Sequence, residues 1–348
     1  MEMYVEKNGN KSPNVTCCID WISFTLFGLQ VNEVLDLFGF TQYDLEQKYG
    51  ARGYKAQYCI SEVGFAFMFD GDSHMGIHVD IPSKALDLFL GRFKVSKYAI
   101  HTPFEDSRIA YDEDLCIVNE VIKIVKRYGH FTRFDIAVDD LEGYYTVSEV
   151  YDLLNREMYI SSFRKYDYYV SKNVTGGRNG ETVYMGSRQS NFFLRVYDKQ
   201  LEQGVDFSWI RWELEIKHEC ADILAEHLLN NPICEVIFGT LNNFVRFIND
   251  DNARKCRCST SDKWLEFLGA VKEMPYHIKH YVTTFEDKEE WIERQVMPTI
   301  CALMLANGGS MDFIEERLLE SAYRLTDDMK KRLSQVNPNW EQLLYYLE

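Results

Sequence analysis

The sequence has no apolar run of the roughly 18 residues that a membrane-spanning helix needs. Its first 14 residues are polar and hold no apolar signal core. Secretion is therefore not expected, and a cytoplasmic chain is. The nine cysteines form no disulfide framework. Cys17 and Cys18 are adjacent, and Cys256-x-Cys258 is too close for an ordinary zinc pair. They read as reduced thiols. An excess of base is missing too: 38 Lys+Arg face 54 Asp+Glu, a net charge of −16. That excludes a non-specific nucleic-acid binder, which would be basic overall. No internal repeat or low-complexity tract is present. What remains is a chain of 348 residues, 46% hydrophobic and 14% aromatic, enough for one large or two ordinary domains with a substantial core.

The pattern is rich in strands up to about residue 218 and helical after it. Residues 1–14 are expected to be a disordered tail. Strands are expected at 15–27, 54–60, 65–69, 75–81, 131–138, 161–174 and 208–218, and as a pair within 181–203. Asp20 is an odd charge inside the first of them. Helices are expected at 31–38, from 83 to about 93, and at 114–128 and 146–154, the last with Thr146 as cap and Glu149 closing a capping box. After the strands come helices at 220–229, 234–248, 264–272, 291–306 and 311–323. Residues 250–261 look most like a linker. The expected organisation is a catalytic domain over 15–250 and a helical domain over 251–348.

The stretch 181–203 organises the rest. It reads as two short strands joined by a Gly-Ser turn. Alternation puts Phe193, Arg195 and Tyr197 on one face of the second strand, and Leu194 and Val196 on the other. Lys199 follows, and Tyr184 lies in the first strand. A tyrosine hydroxyl beside fixed cations suits a phosphate and is a candidate nucleophile for one. An edge strand with Tyr and Arg facing solvent would show the same pattern. From Arg156 to Lys199 there are eight Lys/Arg against four acids, a +4 island in an acidic chain. Lys172 and Arg188 belong to it.

Three more strands carry a polar face. His78 and Asp80 share one. Arg133, Asp135, Ala137 and Asp139 share another. Arg211, Glu213 and Glu215 share a third. If these strands and that of Tyr197 lie in one antiparallel sheet, helices cover its apolar face. The other face then gathers His78, Asp80, Asp135 and Glu213 or Glu215 around Tyr197. Carboxylates with one imidazole suit Mg2+ or Mn2+, which can polarise a phosphodiester oxygen. Any half-exposed antiparallel sheet also alternates in this way.

Six segments, in order, resemble the trans-acting replication initiation factors of rolling-circle plasmids, a family that includes relaxases of integrative elements. They are Ile-Asp-Trp-Ile-Ser-Phe-Thr (19–25), Gly-Ile-His-Val-Asp-Ile (76–81), Phe-Thr-Arg-Phe-Asp-Ile-Ala-Val-Asp-Asp (131–140), Tyr-Met-Gly-Ser-Arg-Gln-Ser (184–190), Leu-Arg-Val-Tyr-Asp-Lys (194–199) and Arg-Trp-Glu-Leu-Glu-Ile-Lys (211–217). The resemblance implies an α+β fold, an antiparallel sheet with helices on one face like that of the histidine-hydrophobic-histidine endonucleases. It implies a nick in one DNA strand at an origin, a tyrosine bonded to the 5′ phosphate, and a divalent metal. By resemblance the nucleophile is Tyr197, with Tyr184 the competitor. Asp80, Asp135 and Glu213 are the expected metal ligands, with His78 as a fourth. Arg188, Arg195, Lys199 and Lys172 are expected on the DNA. The sequence departs from the endonuclease signature at His78-Val79-Asp80, where an acid stands for the second histidine. Origin DNA is the implied partner, with a second copy of the chain and a helicase as further candidates. Two rival readings are a non-catalytic, sequence-specific DNA-binding protein on the same fold and an acidic scaffold for a protein partner.

Overall fold

The computed structural model describes residues 15–98, 111–172, 174, 178–269, 273–276, 289, 292–322, 324–340 and 342. The expected disordered tail lies outside them. The chain divides into two compact units, Met1–Ile278 and Lys279–Glu348.

The first unit is built on a ten-stranded antiparallel sheet. In chain order its strands are β1 (Val15–Leu26), β2 (Glu46–Tyr49), β3 (Ala56–Ile60), β4 (Phe65–Phe69), β5 (Ile77–Pro82), β6 (Gly129–Asp140), β8 (Tyr166–Lys172), β9 (Arg178–Gly186), β10 (Phe192–Asp198) and β11 (Ile210–Lys217). In space the order is β2-β3-β4-β5-β1-β6-β11-β10-β9-β8. The four strands with polar faces do share one sheet, with β1 between β5 and β6.

Alternation sorts the two faces, and β1 shows how. Val15, Cys17 and Ile19 are core residues at odd positions, then Ile22, Phe24 and Leu26 at even ones. The parity changes because the pairing with β6 slips between Ile19 and Trp21, leaving Asp20 as an extra residue. This is a β-bulge, which re-aims a side chain and bends the strand. It explains the odd charge: Asp20 is turned out of the apolar layer.

Helices α1 (Val31–Leu37), α2 (Ser83–Tyr98), α3 (Tyr111–Tyr128), α4 (Val147–Asn155), α6 (Glu219–Asn230) and α7 (Ile233–Phe244) bury their apolar sides in one continuous core with the sheet. Val34, Phe89, Val121, Val150, Leu224 and Ile237 from these helices are all essentially inaccessible. Thr146 caps α4 as expected. Its hydroxyl accepts from Glu149 N at 3.2 Å, and Glu149 Oε2 accepts from Thr146 N at 3.0 Å. The short α5 (Lys199–Gln203) follows β10 directly, capped by Asp198, which accepts from Leu201 N at 3.0 Å.

The structure adds β2, a strand the sequence reading did not expect, and departs from that reading in three further places. The strand expected over 161–174 is broken. Its start forms β7 (Tyr159–Ser161), which pairs with β12 (Val245–Phe247) in a separate two-stranded sheet. Ser161 Oγ donates to Phe244 O at 2.7 Å and accepts from Phe163 N at 3.0 Å, a hydroxyl turn that ends the strand. The helix expected to reach 248 stops at Phe244, because Val245 and Phe247 are buried about Arg246 in strand alternation. Residues 251–269 lie in the first unit, where α8 (Asp262–Leu268) places Trp264, Phe267 and Leu268 in the main core. The Trp264 ring packs on Tyr145, Trp212 and Phe247.

The second unit holds a π-helical turn (Ile292–Val296) and helices α9 (Met297–Ala306), α10 (Asp312–Ala322) and α11 (Asp327–Val336). No helix among the described residues is long and apolar enough to cross a membrane.

Candidate active site

Strand β10 places Tyr197 where alternation put it. Leu194 and Val196 are fully buried in the core, while Arg195 and Tyr197 are half-buried on the opposite face. Across the ladder, Arg195 pairs with Glu213 and Tyr197 with Arg211 on β11. On the other side, Arg195 pairs with Tyr184 and Tyr197 with Thr182 on β9. Directly paired residues share a face, so all six project into the same space.

Tyr197 lines an open cleft of about 620 Å³, together with Asp20, Lys84, Tyr184, Arg195, Lys199, Glu202, Trp209, Arg211 and Glu213 among others. Its hydroxyl donates to Glu213 Oε2 at 3.1 Å. Glu213 Oε1 is held by the Arg195 guanidinium. Burial, and then the Glu213 charge, push the Tyr197 hydroxyl well above its ordinary pKa, with Arg211 opposing them. The hydroxyl therefore keeps its proton at neutral pH and has a carboxylate in place to receive it.

Behind Tyr197 lies a second charged group. Arg211 is 1% exposed and bonds Asp139 through Nε and Nη2, both at 2.7 Å, and Asp20 through Nη1 at 2.7 Å. Trp209 Nε1 donates to Asp139 at 2.6 Å, and Ser83 Oγ to Asp20 at 3.0 Å. The bulge in β1 is what brings Asp20 here. Lys199 Nζ lies 4.7 Å from the centre of the Trp209 ring. Burial makes each of these charges costly unless paired, so the network fixes the floor of the cleft.

The remaining acids spread along the same face. Asp135 is 1% exposed and accepts from Arg133 at 2.8 and 2.6 Å. Burial, with Glu213 and Glu215 nearby, raises its pKa to about 7 against the pull of Arg133. Glu215 takes Arg133 at 3.3 Å and Lys217 at 2.8 Å. Three strands from Glu213, Asp80 accepts from Trp21 Nε1, Ser23 Oγ and Arg52 Nη2 at 2.8, 2.5 and 2.7 Å. His78 Nδ1 meets Thr25 Oγ1 at 3.0 Å, and its Nε2 meets Arg52 Nη1 at 3.2 Å. Burial drives the His78 pKa down to about 4.

This arrangement tests the expected metal site. Asp80, Asp135 and Glu213 stand on β5, β6 and β11, and β5 and β11 are separated by about 14 Å of sheet, since neighbouring strands lie ~4.8 Å apart. Each acid is already held by an arginine: Arg52, Arg133 and Arg195 respectively. Among the described residues no three His, Cys, Asp or Glu side chains are grouped to hold an ion. The four expected ligands, as arranged here, do not fit a preformed divalent-metal centre.

A family model described as replication initiation factor matches residues 129–318, more than half of the chain. The chain belongs to that family. NicK of Bacillus subtilis (strain 168), named as a DNA relaxase, is 25% identical over 343 residues, 94% of this chain and 92% of its own length. A replication initiation protein of Staphylococcus aureus is 31% identical over 132 residues, 34% of this chain and 36% of its own. A solved rolling-circle replication initiator of Geobacillus stearothermophilus shares the fold, with a TM-score of 0.61 at 24% identity, covering 76% of this chain and all of the other. The α+β reading, an antiparallel sheet with helices on one face, holds.

In this replication initiation factor the matched span carries Tyr184, Tyr197, Asp135 and Glu213 but not His78 or Asp80. Tyr197, Arg195, Lys199 and Tyr184 meet in the cleft. Arg188 lies beside it, its guanidinium 5.9 Å from the Tyr184 ring centre. Lys172 is exposed on β8, at the sheet's edge. Sequence reasoning gave no role to Arg211, Asp139, Asp20 or Arg52, and named Glu213 as a metal ligand without its bond to Tyr197. Asp20 carried a usable signal, a charge in an otherwise apolar strand. Arg52 carried none, since its partners are 26 and 28 residues away.

Proposed function

We propose that the chain nicks one strand of DNA at an origin, with Tyr197 as nucleophile, to start rolling-circle replication or strand transfer. The observation that carries this reading is the Tyr197 hydroxyl bonded to Glu213 in an open cleft that also presents Lys84, Arg195, Lys199 and Arg211. The family supports it, as do the relatives named as relaxase and replication initiation proteins.

The chemistry is a transesterification. Tyr197 Oη attacks phosphorus in line as its proton passes to Glu213 Oε2. The bond from Oη to phosphorus forms and the bond from phosphorus to O3′ breaks. The O3′ leaves as an alkoxide that takes a proton from water. The 5′ phosphate stays on Tyr197, so the energy of the diester is kept for rejoining. Arg195 and Lys199 face the non-bridging oxygens, where fixed cations stabilise developing charge. Arg211 is committed to Asp139 and Asp20 and serves to hold the cleft. Arg195 and Lys199 carry the positive charge of this step, and the acids expected to take Mg2+ or Mn2+ are bound to arginines.

The test is supercoiled DNA carrying the region around the protein's own gene. The expected outcome is a relaxed, protein-linked product whose adduct maps to 196–199. Tyr197→Phe removes one oxygen from a half-buried ring, so the fold should survive while nicking falls to background and the adduct disappears. Tyr184→Phe should keep the adduct. An adduct on Tyr184 would move the nucleophile and leave the reaction intact. Normal nicking by Tyr197→Phe, with no adduct in any variant, would refute the covalent mechanism. A bandshift without relaxation would favour the non-catalytic DNA-binding reading.

A further inference from the structure

Next to the nucleophile the sheet face changes from charged to aromatic. Tyr184 on β9 stacks on Phe193 of β10 with ring centres 5.4 Å apart and planes 16° apart. Tyr169, on the edge strand β8, meets Tyr184 edge-on at 5.5 Å. Arg188, in the β9–β10 hairpin, lays its guanidinium 5.9 Å from the Tyr184 ring centre and 5.0 Å from that of Phe193. Gly186 sets that hairpin: its φ is +91°, and a Cβ there would come within 2.8 Å of Phe163.

Two features separate this cluster from core packing. It lies on the polar face, away from Val183, Met185 and Leu194. It is also open: Tyr169 is 59% exposed, Arg188 is exposed and Tyr184 half-exposed. Arg188 has no carboxylate partner among the described residues. Tyr184 lines the same cleft as Tyr197, one diagonal away across the ladder, about 7–8 Å for such positions.

We infer that Tyr184, flanked by Tyr169 and Arg188, is a stacking subsite for an unpaired nucleobase of the strand whose phosphate Tyr197 attacks. This rests on the nicking reading and adds to it. Aromatic rings and guanidinium planes offer the flat faces on which single-stranded bases stack, largely regardless of sequence. The basic side chains Arg188, Arg195 and Lys199 complement the adjoining phosphates. A strand running along β10 would set its phosphate at Tyr197 and the neighbouring base over Tyr184. Tyr184 is thus a positioning residue acting through the ring, not through its hydroxyl.

The test compares two probes on the full chain: a 20-mer of thymidylate, and a 20-mer of abasic residues with the same number of phosphates. Wild type should bind the first more tightly. Tyr184→Leu should lose roughly tenfold on the thymidylate 20-mer and nothing on the abasic one. Tyr184→Phe, which keeps the ring, should retain both affinities. Arg188→Ala, which removes a charge, should weaken both. Equal losses on the two probes with Tyr184→Leu, or no preference by wild type, would overturn the inference. Failure of the nicking reading is read separately, as the absence of a phosphotyrosyl adduct on supercoiled DNA whatever Tyr184 does to these affinities.

Discussion

At the scale of single residues, the proposed chemistry rests on the pair of Tyr197 and Glu213. A phenol whose pKa is raised by burial and a neighbouring carboxylate is a poor nucleophile until its proton has somewhere to go. Glu213→Gln keeps the shape and an acceptor but removes the base. Single-turnover nicking should slow by roughly 10²–10⁴-fold, the usual worth of a general base. DNA affinity should be kept, because Arg195 and Lys199 remain to face the phosphate. A variant that nicks at the wild-type rate would exclude Glu213 as base. Asp135 makes a prediction about pH. Its folded pKa of about 7 lies above the unfolded value of 3.8, so the folded state holds a proton that the unfolded chain releases. The stability this contributes is full below about pH 4 and is lost as pH rises through about 7. Asp135→Asn removes the term and leaves Arg133 with Glu215 and the Trp21 ring. Its melting temperature relative to wild type should therefore rise from pH 5 to pH 8. A constant difference would mean that Asp135 does not titrate there.

At the scale of elements, strand faces were legible and strand partners were not. Period-two alternation needs only local sequence, which is why Arg195 and Tyr197 could be placed opposite Leu194 and Val196. Bringing Arg52 onto Asp80, or Arg211 onto Asp20 across 191 residues, depends on pairings that only the folded sheet fixes. The bulge at Asp20 sits between these cases. Its change of parity is written in the apolar positions of β1, but the residue it presents finds its partner on β11. The turn that carries Arg52 offers a test of the metal question. Arg52 has φ +53°, precedes Gly53 at φ +92°, and lays its guanidinium on His78 Nε2 and Asp80 Oδ2. Mn2+ binding to the DNA-free protein, followed by electron paramagnetic resonance, should be weak in wild type. It should tighten about tenfold in Arg52→Gln, which removes roughly 1.4 kcal/mol of competition. Tight binding by wild type would mean that the ion sits elsewhere.

At the scale of the whole molecule, a net charge of −16 and a local island of +4 have opposite effects on DNA. The acidic bulk repels a duplex from most approaches, and in the proposed reading the β8–β10 region is where attraction wins. Arg188→Ala and Lys172→Ala should each weaken binding at every sequence tested. Each should also make the dependence of log affinity on log salt shallower by about one. Slopes unchanged in both variants would place the DNA elsewhere. Composition alone gave the global sign of charge, and the island could be counted from the sequence. Its position beside the cleft required the strand order.

That strand order also ranks how readily each part of the site comes apart. β8 is the terminal strand, bonded on one side only, whereas β10 is held between β9 and β11. An edge can peel from a sheet at a fraction of the free energy of global unfolding, and the cost rises with each strand inward. Tyr169 rides on the strand that detaches first, Tyr184 on the next, and Tyr197 on the one after. Amide exchange should follow the same gradient, fastest in β8 and slowest in β10. The face proposed to hold a base can then breathe on a shorter timescale than the bond between Tyr197 and Glu213. A strand of DNA could slide or let go at one end of the cleft while the reacting end keeps its geometry.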